Sequence, residues 1–136
     1  MTTHGDQSAL RVGDVMSGEL HTIDGLATVA EAMATMKRLR ISSLVVNRGH
    51  DDDELGMLTV TDLARDVVTQ DRAPERVNVY EVMSKPALTV QSSMLARYAV
   101  RLLVQFGVSR TLVVDEQGEP LGLVTVRDLV LGLSET

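Results

Sequence analysis

The sequence predicts an α/β fold made of two tandem β-α-β-β-α repeats that form one pseudo-twofold module. Three observations point there. The heptapeptide Gly122-Leu123-Val124-Thr125-Val126-Arg127-Asp128 occurs almost unchanged earlier in the chain, as Gly56-Met57-Leu58-Thr59-Val60-Thr61-Asp62. A second pair opens the two copies, Val12-Gly13-Asp14-Val15-Met16-Ser17 and Val79-Tyr80-Glu81-Val82-Met83-Ser84, with Val, Val, Met and Ser identical and acid matching acid. The chain of 136 residues has the length of one domain. A lone αβ unit of about sixty residues struggles to bury two helices and a sheet, whereas two related units can cover each other's apolar faces.

Taken in order, residues 1–10 are polar and without periodicity, and read as a flexible leader. The first repeat spans residues 11–69, a linker residues 70–77, and the second repeat residues 78–134. Brief extended segments, Leu20-His21-Thr22-Ile23 and Ala87-Leu88-Thr89-Val90, follow the lead-in of each copy. Thr28-Val29-Ala30-Glu31 has the spacing of a capping box, and Val29, Ala32, Met33, Met36 and Leu39 share one face, so a helix is expected from about residue 28 to 39. Its counterpart runs from Met94 to Phe106 and stops at Gly107, which suits a left-handed C-terminus. Arg40 stands at the matching place in the first copy, so that helix is expected to end differently. The β-branched runs Leu44-Val45-Val46 and Leu112-Val113-Val114 read as strands buried on both faces. Polar, Gly-containing loops then lead into the repeated Gly-x-x-Thr-x-x-Asp strand end and a second helix.

Composition narrows the function. A net charge of −6 argues against a nucleic-acid backbone or an anionic membrane as partner, since both need a basic surface. Without cysteine there are no disulfides, thiolate nucleophiles or thiolate metal sites. No apolar run approaches a membrane span, and the N-terminus lacks a secretion signal, so a cytoplasmic protein is expected. His4, His21 and His50 are scattered, and the acids of Asp51-Asp52-Asp53-Glu54 lack the calcium-loop pattern, so no metal site is assigned. No Gly-x-Ser-x-Gly, P-loop or nucleophile-base pair is visible, and no catalytic residue is assigned.

What the repeats do offer is a strand handing over to a helix start, with backbone N–H groups, a hydroxyl and a carboxylate gathered at one place. Taken alone, Asp62 and Asp128 need no ligand: an acid in the first helical turn is stabilising by itself.

The whole pattern, however, resembles a tandem pair of cystathionine β-synthase (CBS) domains, often called a Bateman module. The likeness rests on the Val-x-acid-Val-Met-Ser lead-ins, the Thr-Ile and Thr-Val strands, Ile41-Ser42-Ser43-Leu44-Val45-Val46 with Val108-Ser109-Arg110-Thr111-Leu112-Val113-Val114-Asp115, and the two Gly-x-x-Thr-x-x-Asp strand ends. It covers about residues 10 to 134. The resemblance implies a regulatory sensor that binds AMP, ADP or ATP as regulatory ligand in clefts between paired repeats, commonly as a homodimer. It implies that Asp62 and Asp128 take the ribose diol, that Thr59 and Thr125 face phosphate, and that Ser42, Ser43, Ser109 and Arg110 reach phosphates. Thr22 and Thr89 are the positions whose backbone meets the base.

The copies differ where it matters for charge. Arg110 and Arg127 stand in the second copy where Ser43 and Thr61 stand in the first, so a phosphorylated ligand is expected to prefer the second. The expected role is a stand-alone sensor that signals by conformational change to an effector protein the sequence does not identify. A ligand-free dimerisation or docking scaffold is the alternative, and a nucleotide-processing enzyme the remote one.

Overall fold

The computed structural model describes residues 9–134. In chain order these form α1 (Val12–Val15), β1 (Thr22–Ile23), α2 (Val29–Leu39), β2 (Ser43–Val46), β3 (Gly56–Thr59) and α3 (Val60–Leu63), the last continuing as a π-turn over Ala64–Val68. Two single 3-10 turns follow at Pro74–Arg76 and Val79–Glu81, then β4 (Thr89–Gln91), α4 (Ala96–Phe106), β5 (Arg110–Val114), β6 (Pro120–Thr125) and α5 (Val126–Ser134). No helix among the described residues is long and apolar enough to cross a membrane. The chain divides into two compact units, one of residues 21–87, the other of residues 9–20 together with 88–134. Each carries one three-stranded sheet, in the order β1-β2-β3 and β4-β5-β6.

In the first unit β1 runs parallel to β2, and β2 antiparallel to β3. A parallel pair needs a crossover, and α2 provides it. The expected capping box starts that helix: Glu31 N donates to Thr28 Oγ1 and Thr28 N to the Glu31 carboxylate, both at 3.1 Å. Val29, Ala32 and Met36 are then buried against Leu44, Val46, Leu58 and Val67.

The expectation that α2 ends differently from α4 is corrected. Arg40 adopts the left-handed conformation at φ 57°, as Gly107 does at φ 67°. In each case the next N–H reaches back five residues, Ile41 to the Met36 carbonyl and Val108 to the Leu103 carbonyl, both at 3.1 Å. These bonds satisfy helix-end carbonyls and offset the roughly 1 kcal/mol that a left-handed L-residue costs. Arg40→Gly is therefore expected to raise stability by about 1 kcal/mol in urea unfolding. An unchanged or lower midpoint contradicts it.

The second unit repeats the plan, with β4 parallel to β5 and β5 antiparallel to β6. Here α4 begins at Ala96 rather than Met94, because Leu95 is still extended at ψ 135°. Val90, Ala96, Ala99, Leu103, Val113, Val124 and Leu129 form its core.

The lead-in segments do not lie with the sheet that follows them in sequence. Residues 77–87 belong to the unit of the first sheet, where Val79 N bonds the Ala27 carbonyl at 2.8 Å, and Ser84 exchanges two backbone bonds with Met57, each 2.9 Å. Likewise Ser17 exchanges two bonds of 2.9 Å with Leu123 of β6, while Val12 N bonds the Met94 carbonyl at 2.9 Å. The repeated positions now have physical reasons. Val12 and Val79 are fully buried, and each acid closes a one-turn helix, Arg11 N donating to Asp14 and Asn78 N to Glu81, both at 2.8 Å. Leu10, at the end of the leader, accepts from Ala96 N at 2.8 Å, and residues 1–8 lie outside the described residues.

Of the acids in the β2–β3 loop, Asp53 has a structural task. Lys85 Nζ lies 2.5 Å from its carboxylate, and with the N–H groups of Gly49 and Glu54 this cation holds the Asp53 carboxyl well below the usual carboxylate range. A depressed carboxyl adds stability above its ordinary pKa and loses it only as pH falls through the folded value, so the tie persists at neutral pH.

Candidate functional site

Strand register assembles two equivalent corners, one in each unit. Ser43 lies opposite Thr59 in the first sheet and Arg110 opposite Thr125 in the second. The chain then turns into a helix, and the first helical N–H is taken by the middle strand: Val60 N bonds the Ser42 carbonyl at 3.0 Å, and Val126 N the Ser109 carbonyl at 2.9 Å. This brings Ser42, Ser43, Thr59, Thr61 and Asp62 together in one corner, and Ser109, Arg110, Thr125, Arg127 and Asp128 in the other. Thr22 and Thr89 stand across the middle strand from these groups, paired with Val45 and Leu112. Both are exposed.

The repeated Thr-x-x-Asp is a closed capping box in both copies. Asp62 N donates to Thr59 Oγ1 at 3.1 Å, and Thr59 N to Asp62 Oδ2 at 2.9 Å. Asp128 N donates to Thr125 Oγ1 at 3.0 Å, and Thr125 N to Asp128 Oδ2 at 3.3 Å. Such a box satisfies backbone donors that a helix start leaves open. It also fixes the carboxylate rotamer, so what remains for chemistry is the second oxygen, Oδ1.

That oxygen is where the copies part. Asp62, 7% exposed, has Oδ1 filled by Arg65 Nη2 at 2.9 Å. The same guanidinium forks onto Asp66, with Nε and Nη2 each 3.1 Å from a carboxylate oxygen. Asp66 first, then Asp62, pushes Arg65 further toward its charged form, and Arg65 in turn holds the Asp66 carboxyl below its ordinary range. In the second copy the positions of Arg65 and Asp66 are taken by Leu131 and Gly132. Asp128 Oδ1 therefore has no protein partner among the described residues, and Asp128 is half-buried. Arg110 is half-buried and Arg127 exposed, and among the described residues neither guanidinium is paired with an acid.

Arg65 was not singled out from sequence, although Asp62-x-x-Arg65 is a helical i,i+3 ion-pair spacing that marks it.

The CBS domain family profile matches residues 12–69 and again residues 79–135. The chain belongs to the CBS domain family. An uncharacterised protein from Methanopyrus kandleri is 32% identical over 122 residues, which cover 90% of this chain and 62% of that protein. The chain thus spans less than two thirds of that relative's length. Among solved structures, the hexameric CBS-CP12 protein from bloom-forming cyanobacteria superposes with a TM-score of 0.85 at 32% identity, covering 90% of this chain and 67% of the other. The CBS domain of a bacterial CNNM/CorC family Mg2+ transporter, in complex with ATP, superposes with a TM-score of 0.77 at 25% identity, covering 96% and 92%.

Proposed function

We propose that this CBS chain is a regulatory module that binds an adenosine-containing ligand, AMP, ADP or ATP, at the corner built from Ser109, Arg110, Thr125, Arg127 and Asp128. The observation that carries this reading is Asp128 Oδ1, open among the described residues, on a carboxylate already fixed by its capping box and accompanied by two arginines that pair with no acid among those residues. A fixed carboxylate accepts two charge-assisted bonds from a vicinal diol, and arginine forks fit phosphate oxygens. The backbone at Thr89 supplies the edge for the base. The ATP complex of the similar transporter CBS domain supports the ligand class. Binding shifts the population of module conformations, and the surface shown to an effector protein changes with it.

Calorimetric titration with AMP, ADP and ATP tests this. A dissociation constant in the micromolar range, about −8 kcal/mol, is expected for at least one of them. Absence of heat with all three favours a scaffold that binds no nucleotide.

We further propose that the protein is a homodimer. In the first unit an open apolar groove is lined by Met33, Met36, Val60, Leu63, Ala64 and Val68, with Val60 and Val68 substantially exposed. The occupant we assign is a second copy, as the cyanobacterial relative is itself oligomeric. Light scattering is expected to give a dimer mass for the parent and a monomer mass for Val68→Glu, which places a charge in an apolar contact. A dimer that survives the substitution contradicts this assignment.

A further inference from the structure

The two corners share a backbone plan but differ in one occupant. We infer that Arg65 is an internal ligand of the first corner, so that the chain takes one nucleotide, on Asp128, while Asp62 is held closed from within. This rests on the reading of Asp128 as the ribose-binding acid and goes beyond it by assigning the stoichiometry to a single side chain.

Arg65 Nη2 sits 2.9 Å from Asp62 Oδ1, the oxygen equivalent to the one that no other described residue fills on Asp128. Thr59 N already fills Asp62 Oδ2. Each oxygen of this buried carboxylate thus already accepts a bond, and a diol that needs both lone pairs of Oδ1 has to displace a charge-assisted one. Asp66 makes displacement harder, because it grips the same guanidinium through two bonds and keeps it in place. Because the Arg65 side chain is itself 59% exposed, the bond is discounted for solvent screening, and its displacement is expected to weaken binding by about tenfold. The second corner escapes the lock because Leu131 offers no donor and Gly132 no anchor for one.

The difference between the corners can be exchanged by substitution at an exposed site. Arg65→Leu gives the first corner the residue of the second, and Leu131→Arg does the reverse; Arg65 and Leu131 are both exposed, so the fold tolerates either change. Calorimetry of the full chain with ATP and with AMP reads the result. One binding event per chain is expected for the parent. Arg65→Leu should add a second event at least about tenfold tighter than any residual binding there, and Asp62→Asn in that background should remove it again. Leu131→Arg should weaken the parental event by about tenfold.

Two equivalent events in the parent, or one event that persists unchanged in Arg65→Leu, overturn the inference while leaving nucleotide binding standing. Silence of the parent and of both variants with either nucleotide overturns the binding reading itself, and the inference with it.

Discussion

Replacing Gly122 by alanine is expected to lower stability by about 2–4 kcal/mol, the sum of forced overpacking and two strained backbone bonds. Gly122 is the first residue of the repeated heptapeptide and sits beside Leu123, which holds Ser17 by two bonds of 2.9 Å. A Cβ added there runs into the Ser17 carbonyl oxygen, with the Gly18 Cα also close. All of these are backbone atoms, so no rotamer change relieves the contact. Either β6 shifts or the lead-in leaves it, and Val12 loses its buried seat. A fall in Tm of about 10 °C is expected in a thermal melt.

Gly56 is the internal control. A Cβ there meets the Met83 Sδ at 2.8 Å, with the Ser84 carbonyl oxygen at 3.3 Å. A flexible thioether can yield. Gly56→Ala should accordingly cost less than half as much as Gly122→Ala, and equal losses would show that the lead-in contact is not the cause.

The second large effect is on binding. Asp128→Ala removes both diol bonds and is expected to weaken nucleotide affinity by about a hundredfold or more, at roughly 1.5–3 kcal/mol per charge-assisted bond. Alanine also opens the capping box, at a cost of about 1 kcal/mol in stability. Asp128→Asn separates the two losses. Its amide oxygen still accepts from Thr125 N, but the negative charge is gone, so stability should be largely kept while most of the affinity is lost. Affinity that survives in both variants means that the diol lies elsewhere.

The capping box of α2 and the buried runs of β2 and β5 were legible because they depend on local periodicity: hydroxyl and carboxylate three residues apart, and unbroken β-branched stretches. So was the family, since its repeated words fall in the same order twice. The end of α2 was not, because the left-handed state of Arg40 is stabilised by bonds to carbonyls that a glycine would receive equally, and residue type alone does not reveal them. The placement of the lead-ins was not legible either. Ser17 and Ser84 carry identical words and could close on either sheet; only backbone pairing with Leu123 and Met57 distinguishes them. At the candidate site the sequence marked the residues but not their state. Asp62 and Asp128 look equivalent as letters, and their difference lies three residues on, where an arginine in one copy meets a leucine in the other.

The most direct measurement is a backbone amide NMR titration of the full chain with ATP. The account predicts saturable shifts concentrated at Thr89, Arg110 and Thr125 through Asp128, with the amides of Thr59 through Asp62 responding weakly until Arg65 is replaced. Saturable shifts confined to other parts of the chain, with Asp128 and its neighbours unmoved, would contradict it.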